Sequence, residues 1–285
     1  MVAIKKGGKI LWSWHIWVTN YAPTFTGPGS FMDRNLGAMS NNPVDWNDNL
    51  GLMYQWGRKD PFPGSSAIYS YSATKIFNKD GVTKITQVNL SDKIANNVIG
   101  YTGSNNLSNA ISNPLAYYFI NWDGYLHDWY IGPSQAQNDD LWSPATKTVY
   151  DPCPPGWRVP NNDDLNVLNN SGNFKSEEGK HPVIYFGRRY INNNYGGFYP
   201  ATGNAPDHNS YTNLEGFNTV GGVWSSEASR VDTIVGTNLG KLANALRFSL
   251  DPDGVVVLGT YFENNKDVTK PNNRAMGLPV RCVRE

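Results

Sequence analysis

"YDPCPPGWRVPNNDDLNVL", residues 150–168, is the stretch from which the rest of this chain is best read. Its first half is stiff: Pro152, Pro154 and Pro155 fix the backbone around Cys153, and Gly156 and Trp157 follow. Its second half starts a helix. Asn161 or Asn162 is the N-cap, and Asp163 and Asp164 fall in the first turn, where the helix dipole favours acids. Leu165 and Leu168 share one face, and Gly172 stops the run. The other cysteine is Cys282, close to the end of the 285 residues. Two cysteines do not make a structural zinc site, which wants four ligands at close spacing. They are either two buried thiols or one disulfide closing a very large loop. Placement in a Pro-rich lead-in and in the final strand favours the disulfide, and with it an oxidising compartment.

Downstream of the helix, "VIYFGRRYI", "GGFYPATG", "GGVWSSEAS", "NALRFSLDPDGVVVLGTYF" and "GLPVRCVRE" read as strands separated by Gly, Asn and Pro. "DPDG" at 251–254 predicts a hairpin between "ALRFSL" and "VVVLGTYF". Alternation puts Leu246, Phe248 and Leu250 on one face, Arg247 and Ser249 on the other. Upstream, "KILWSWHIWVT" from Lys9 to Thr19 reads as one strand, and "FMDRNLGAM" as a short strand ending at Gly37. Asp45 or Asn47 caps a short helix carrying Leu50, Met53, Tyr54 and Trp56, stopped at 61–64. Residues of about 65–148 are polar and weakly patterned, a loop-rich insertion. Composition and pattern suit an all-β or α+β domain, and the expected class is α+β: one domain, 1–285, with short helices and long loops.

Composition narrows the function classes. Net charge is zero and charged residues are 17%, against the usual quarter, which argues against nucleic acid, whose readers carry a basic face. Ten Trp and sixteen Tyr suit an aromatic core, and also a surface that recognises sugars or proteins. No run of about 18 apolar residues exists to span a membrane. The start resembles a secretion signal superficially, but His15 and three Trp interrupt it and no small-residue cleavage site follows, so any export signal is expected outside this chain.

"DRNLGA", "GLMYQWGRKDPF", "YDPCPPGWRVPNNDDL", "VWSSE" and "GLPVRCVRE" together resemble the paralogous lectin-like domains of Bacteroidetes surface and fimbrial proteins. The resemblance runs from Asp33 to Arg284 and implies a C-type-lectin-like fold. It further implies that the "WSS" and "RCVR" strands share a central sheet, that first and last strands pair, and that Cys153 and Cys282 lock that closure. Related scaffolds act as pilus-tip adhesins, receptor-binding domains and variable proteins of diversity-generating retroelements, whose changing residues cluster in the final third. "NNNY" at 192–195, "ENNK" at 263–266 and "PNNR" at 271–274 fit the codon bias of that mechanism, and fit ordinary Asn-rich turns equally.

The expected function is therefore binding, without chemistry, of a protein or glycan ligand by a secreted or cell-surface module. The candidate binding residues are Ser226, Glu227, Arg230, Asp232, Asn244, Arg247, Tyr261, Asn264, Asn265 and Asn273, read as outward side chains of the late strands and loops. Trp157, Trp224, Phe248 and Leu278 are read as core, and Arg281 as a buried or paired charge. The alternative is a structural fimbrial or envelope subunit, which predicts an exposed apolar patch or edge strand.

No metal, cofactor or catalytic residue is expected. "WND" at 46–48 precedes the helix and lacks the Glu-Pro-Asn or Gln-Pro-Asp loop of a calcium-dependent lectin. Enzymes of the formylglycine-generating type, similar in fold, use two late cysteines where this chain has one. Asp128, Asp139 and Asp140 beside Trp129 and Trp142 loosely resemble a glycosidase cleft, which requires two carboxylates about 5–10 Å apart.

Overall fold

A computed structural model describes residues 1–24, 27, 29–43, 45–63, 86–89, 105–119, 128–130, 137–169, 174–178, 186–190, 197–205, 216, 220–229, 242–249 and 268–285. The chain opens with a hairpin of β1 (Val2–Lys6) and β2 (Lys9–Trp14). The single strand expected through Thr19 is thus two, and ends at Trp14. Gly7 and Gly8, at φ of 57° and 80°, supply the two left-handed residues that a tight hairpin turn demands.

Helix α1 (Trp46–Asn49) is short, and β3 (Leu52–Gln55) and β4 (Phe62–Pro63) follow. Met53 and Tyr54 were expected on that helix and lie instead on a strand. Gly51, at φ 79°, ends the helical path, and its Cβ would meet the Leu36 carbonyl at 2.8 Å. Trp56 lies just beyond β3. Within the expected insertion, β5 (Thr86–Asn89), α2 (Asn105–Ser112) and β6 (Ala116–Phe119) are described, and β5 pairs with β6 in parallel.

Strand β7 (Trp157–Arg158) leads into α3 (Asn162–Asn169). Asn161 is the N-cap: the Asp164 amide donates to its Oδ1 at 2.9 Å, and the Asn161 amide donates back to Asp164 Oδ2 at 2.8 Å. This is a capping box closed by aspartate. Gly172, the expected stop, lies outside the described residues.

β8 (Phe174–Glu178), β9 (Phe186–Tyr190) and β10 (Gly197–Pro200) form one antiparallel sheet. β11 (Val220–Ser229), β12 (Leu242–Ser249) and β13 (Val268–Asn272) form another, with β12 central. The downstream partner of β12 is β13, Leu246 lying opposite Thr269; the "DPDG" turn and "VVVLGTYF" lie outside the described residues. β14 (Gly277–Pro279) pairs with β3, and β15 (Val283–Arg284) with β7. Small, mainly antiparallel sheets with short helices make the described part α+β.

Two expectations about strand order change. "WSS" on β11 and "RCVR" at the chain end sit in different sheets. The segment that runs beside the C-terminus is 29–36 rather than the first strand. Gly29, Met32 and Leu36 amides donate to the carbonyls of Arg284, Cys282 and Val280. The terminal stretch also pairs two residues with β7.

The disulfide is present: Cys153 and Cys282 are bonded across a sequence separation of 129. Both belong to the largest buried cluster, with Trp56, Trp129, Trp142, Trp157, Trp224 and Leu278. A second cluster joins Leu165 and Leu168 of α3 to Val223, Leu246 and Phe248. The four residues read as core are all buried, as is Arg281, which donates to Asn35 Oδ1 and the Phe198 carbonyl and lies over the Tyr199 ring.

Candidate functional site

Strand β12 shows why the late sheet is rigid. Ala243 and Ala245 face the tryptophan cluster, while Leu246 and Phe248 face α3. Both faces of the sheet are therefore covered, and β11 approaches closely: a Cβ at Gly221 would lie 2.1 Å from the Phe248 ring. Between Trp224 and Ala228 the register of β11 against β12 slips, placing Ser225, Ser226 and Glu227 in a bulge that faces Asn244. Bulges of this kind re-aim side chains at the ends of sheets.

Of the ten candidate binding residues, two are corrected. Arg247 is buried, with Nη2 donating to Asn204 Oδ1 at 2.9 Å and Nη1 3.5 Å from Met276 Sδ. Ser226 is buried too, its amide donating to the Pro160 carbonyl at 2.7 Å. Alternation placed Arg247 opposite Leu246 correctly, but that face is also covered. Glu227 is partly exposed and occupied: its carboxylate accepts from the Asn162 amide and from Asn162 Nδ2, at 2.9 and 2.8 Å. It thereby ties β11 to the N-terminus of α3, where an anion is favoured.

Asn244 and Asn273 are partly exposed. They flank the Ala243–Asn272 pair, which brings them to the same end of the sheet. Arg230, Asp232, Tyr261, Asn264 and Asn265 lie outside the described residues. So do three of the four histidines, His127, His181 and His208, and the "NNNY" and "ENNK" stretches.

Beneath Asn273 stands a residue that the sequence reading passed over. Arg274 is fully buried, its guanidinium 4.4 Å from the Trp56 ring centroid. It pairs with Asp139 at 2.6 Å and Asp128 at 3.3 Å, and donates to the carbonyls of Asn138 and Leu242. It thus fixes the 137–140 loop beside the start of β12. Two of the acids considered for a glycosidase pair do converge, but with a guanidinium between them. The Asp140 amide, for its part, donates to Asn138 Oδ1. The signal available in sequence was a lone arginine closing an Asn-rich strand end.

Burial outweighs Arg274 at Asp128 and pushes its carboxyl up to about 6. The ordinary unfolded value is near 3.8, so the raised folded value favours the fold most below pH 4 and loses that contribution as pH rises through 6. Asp128→Asn abolishes this titration. Relative to that variant, the native chain is expected to lose about 3 kcal/mol between pH 4 and pH 7. Urea titrations of both chains across that range check the difference, in which the other carboxylates cancel. A difference that stays flat with pH means Asp128 titrates normally.

Among the described residues no group of three or more His, Cys, Asp or Glu side chains is arranged to hold a metal ion. Among them, too, no helix is long and apolar enough to cross a membrane. Compared with family models, curated proteins and solved structures, the chain finds no match.

Proposed function

We propose that this chain is a C-type-lectin-like ligand-binding module of a secreted or cell-surface protein, presenting a polar surface at the end of its late sheet to a protein or glycan. The supporting observation is the contrast within that sheet: strands covered on both faces, with Asn244 and Asn273 partly exposed at one end. Function placed on loops and strand ends of a rigid scaffold is a common arrangement. The β11–β12 connection leaves from that same end, since Ser229 faces Leu242, and carries Arg230 and Asp232. The β12–β13 connection, which carries Tyr261, Asn264 and Asn265, leaves from the opposite end, since Arg247 faces Val268. The amide, carboxylate and arginine groups at the Asn244 and Asn273 end suit adaptable hydrogen bonding. The disulfide is compatible with an oxidising compartment outside the cell.

The test has two parts. Asn244→Lys with Asn273→Lys is expected to leave the melting temperature unchanged and to weaken binding to glycan arrays or intact cells about tenfold or more. Binding that survives both substitutions places the ligand elsewhere. Sequencing the locus with its flanking DNA across strains tests retroelement diversification. Changes at adenine-containing codons for 230–241, 250–267, Asn244 and Asn273 support it, with Arg247, Trp157 and Trp224 constant. Thin variation spread over 65–148 ends that idea.

A structural fimbrial or envelope subunit is the second reading. What favours it is the N-terminal hairpin, whose apolar side chains are exposed.

A further inference from the structure

Residues 1–32 contain Lys5, Lys6 and Lys9 and no Asp or Glu, although the whole chain has zero net charge. The hairpin they form is a two-stranded sheet, and no strand pairs with the outer edge of β1 among the described residues. From Ser13 to Val18 the chain alternates strictly: Ser13, His15 and Trp17 turn inward, and Trp14, Ile16 and Val18 outward. Ser13 donates to Asp60 at 2.7 Å, and Trp17 donates to the Ala38 carbonyl and stacks on Tyr21 at 5.3 Å. These contacts hold one face of the ribbon to the body, and on the other face Trp12, across from Ile4, packs on Lys59 at 4.6 Å and Tyr150 at 6.0 Å. On that other face Val2, Ile4, Trp14, Ile16 and Val18 are 56%, 53%, 45%, 57% and 79% exposed. Lys5, Lys6 and Lys9 are exposed around the turn.

We propose that this hairpin is a docking edge for an extended segment of another protein in which acidic residues alternate with apolar ones. Three features point to that occupant. A strand edge with no partner among the described residues offers a row of backbone donors and acceptors that an added strand satisfies. The apolar side gives alternate side chains of that strand a surface to cover. The uncompensated lysines select an acidic partner. A second copy of this chain is disfavoured, because it brings together two hairpins that each carry three lysines and no acid. A lipid surface is disfavoured as well, because it leaves the edge amides without partners in an apolar medium. The inference holds whether the late sheet binds a ligand or the chain is a structural subunit.

A fluorescent peptide of alternating glutamate and valine, about as long as β1, is titrated with the full chain and followed by anisotropy. Expected are binding that weakens about tenfold between 0.05 and 0.5 M NaCl, as charge attraction is screened, and slowed amide exchange within residues 2–6. Lys5→Glu with Lys6→Glu, both on exposed positions, is expected to lose the acidic peptide tenfold and to gain a lysine–valine counterpart. Val2→Ser with Ile4→Ser is expected to weaken both peptides. No binding, or binding indifferent to salt and charge reversal, overturns the proposal. So does flotation with phosphatidylglycerol vesicles without peptide binding, and so does dimerisation that Ile4→Ser abolishes.

Discussion

Replacing Cys153 and Cys282 together by alanine is expected to lower the free energy of unfolding by about 5 kcal/mol. That is the chain-entropy value for a closed loop of this size, with residues 129 apart in sequence. The native side gives little back, because the lead-in is fixed without the sulfur. The Cys153 amide donates to Asp151 Oδ1 at 2.8 Å, and Lys147 bonds both Asp151 and the Cys153 carbonyl. The Cys282 side shares only two residue pairs with β7, and beyond its backbone bonds to 29–36 the disulfide is what ties it to the helix lead-in. Urea titration of the double variant, beside the oxidised native chain, measures the difference. Slowed exchange in 280–285 is expected to disappear with it. A change under 1 kcal/mol refutes the reading of this bond as the main clip of the C-terminal strand.

Arg274→Met is expected to cost about 3–5 kcal/mol, as when one partner of a buried ion pair is removed. The loss comes from what remains: Asp128 fully buried, Asp139 partly so, and the Leu242 and Asn138 carbonyls without their donor. Without the guanidinium the Asp128 carboxyl rises further, so the variant is expected to be least impaired near pH 4, where that group is neutral in the folded form of both proteins. Adding Asp128→Asn and Asp139→Asn to Arg274→Met is expected to recover part of the loss at pH 7. Denaturation at pH 4 and pH 7 separates the cases. If Arg274→Met stays within 1 kcal/mol of the native chain, the cluster does not anchor the 137–140 loop.

Local rules carried the reading of the sequence where local rules decide. The capped helix at 162–169, the buried Trp157, Trp224, Phe248 and Leu278, and the paired Arg281 follow from residue type and spacing. Gly7–Gly8 carried a hairpin signal that the apolar run after it obscured. β3 was mistaken for helix because Leu50, Met53 and Tyr54 fall at helical spacing, while Gly51 breaks the path between them. Ser226 and Arg247 went astray for a different reason. Alternation along a strand reports which residues share a face, and not whether a second layer covers the other one. That second layer comes from sequence-distant groups, Asn204 and Met276 for Arg247 and Pro160 for Ser226. Arg274 was passed over because Asp128 and Asp139, its partners, reach it only through the fold.

The sulfur–sulfur bond also divides the polypeptide topologically. Residues 153–282 form a covalent ring, and the hairpin, α1 and the tryptophans at 56, 129 and 142 hang outside it. A protease that cuts once within that ring, in the connections flanking β12 for instance, releases nothing. The pieces stay joined, run as one species without reductant and separate only with it. A chain nicked in the connection between β11 and β12 thus keeps its two pieces together, and with them both ends of the polypeptide.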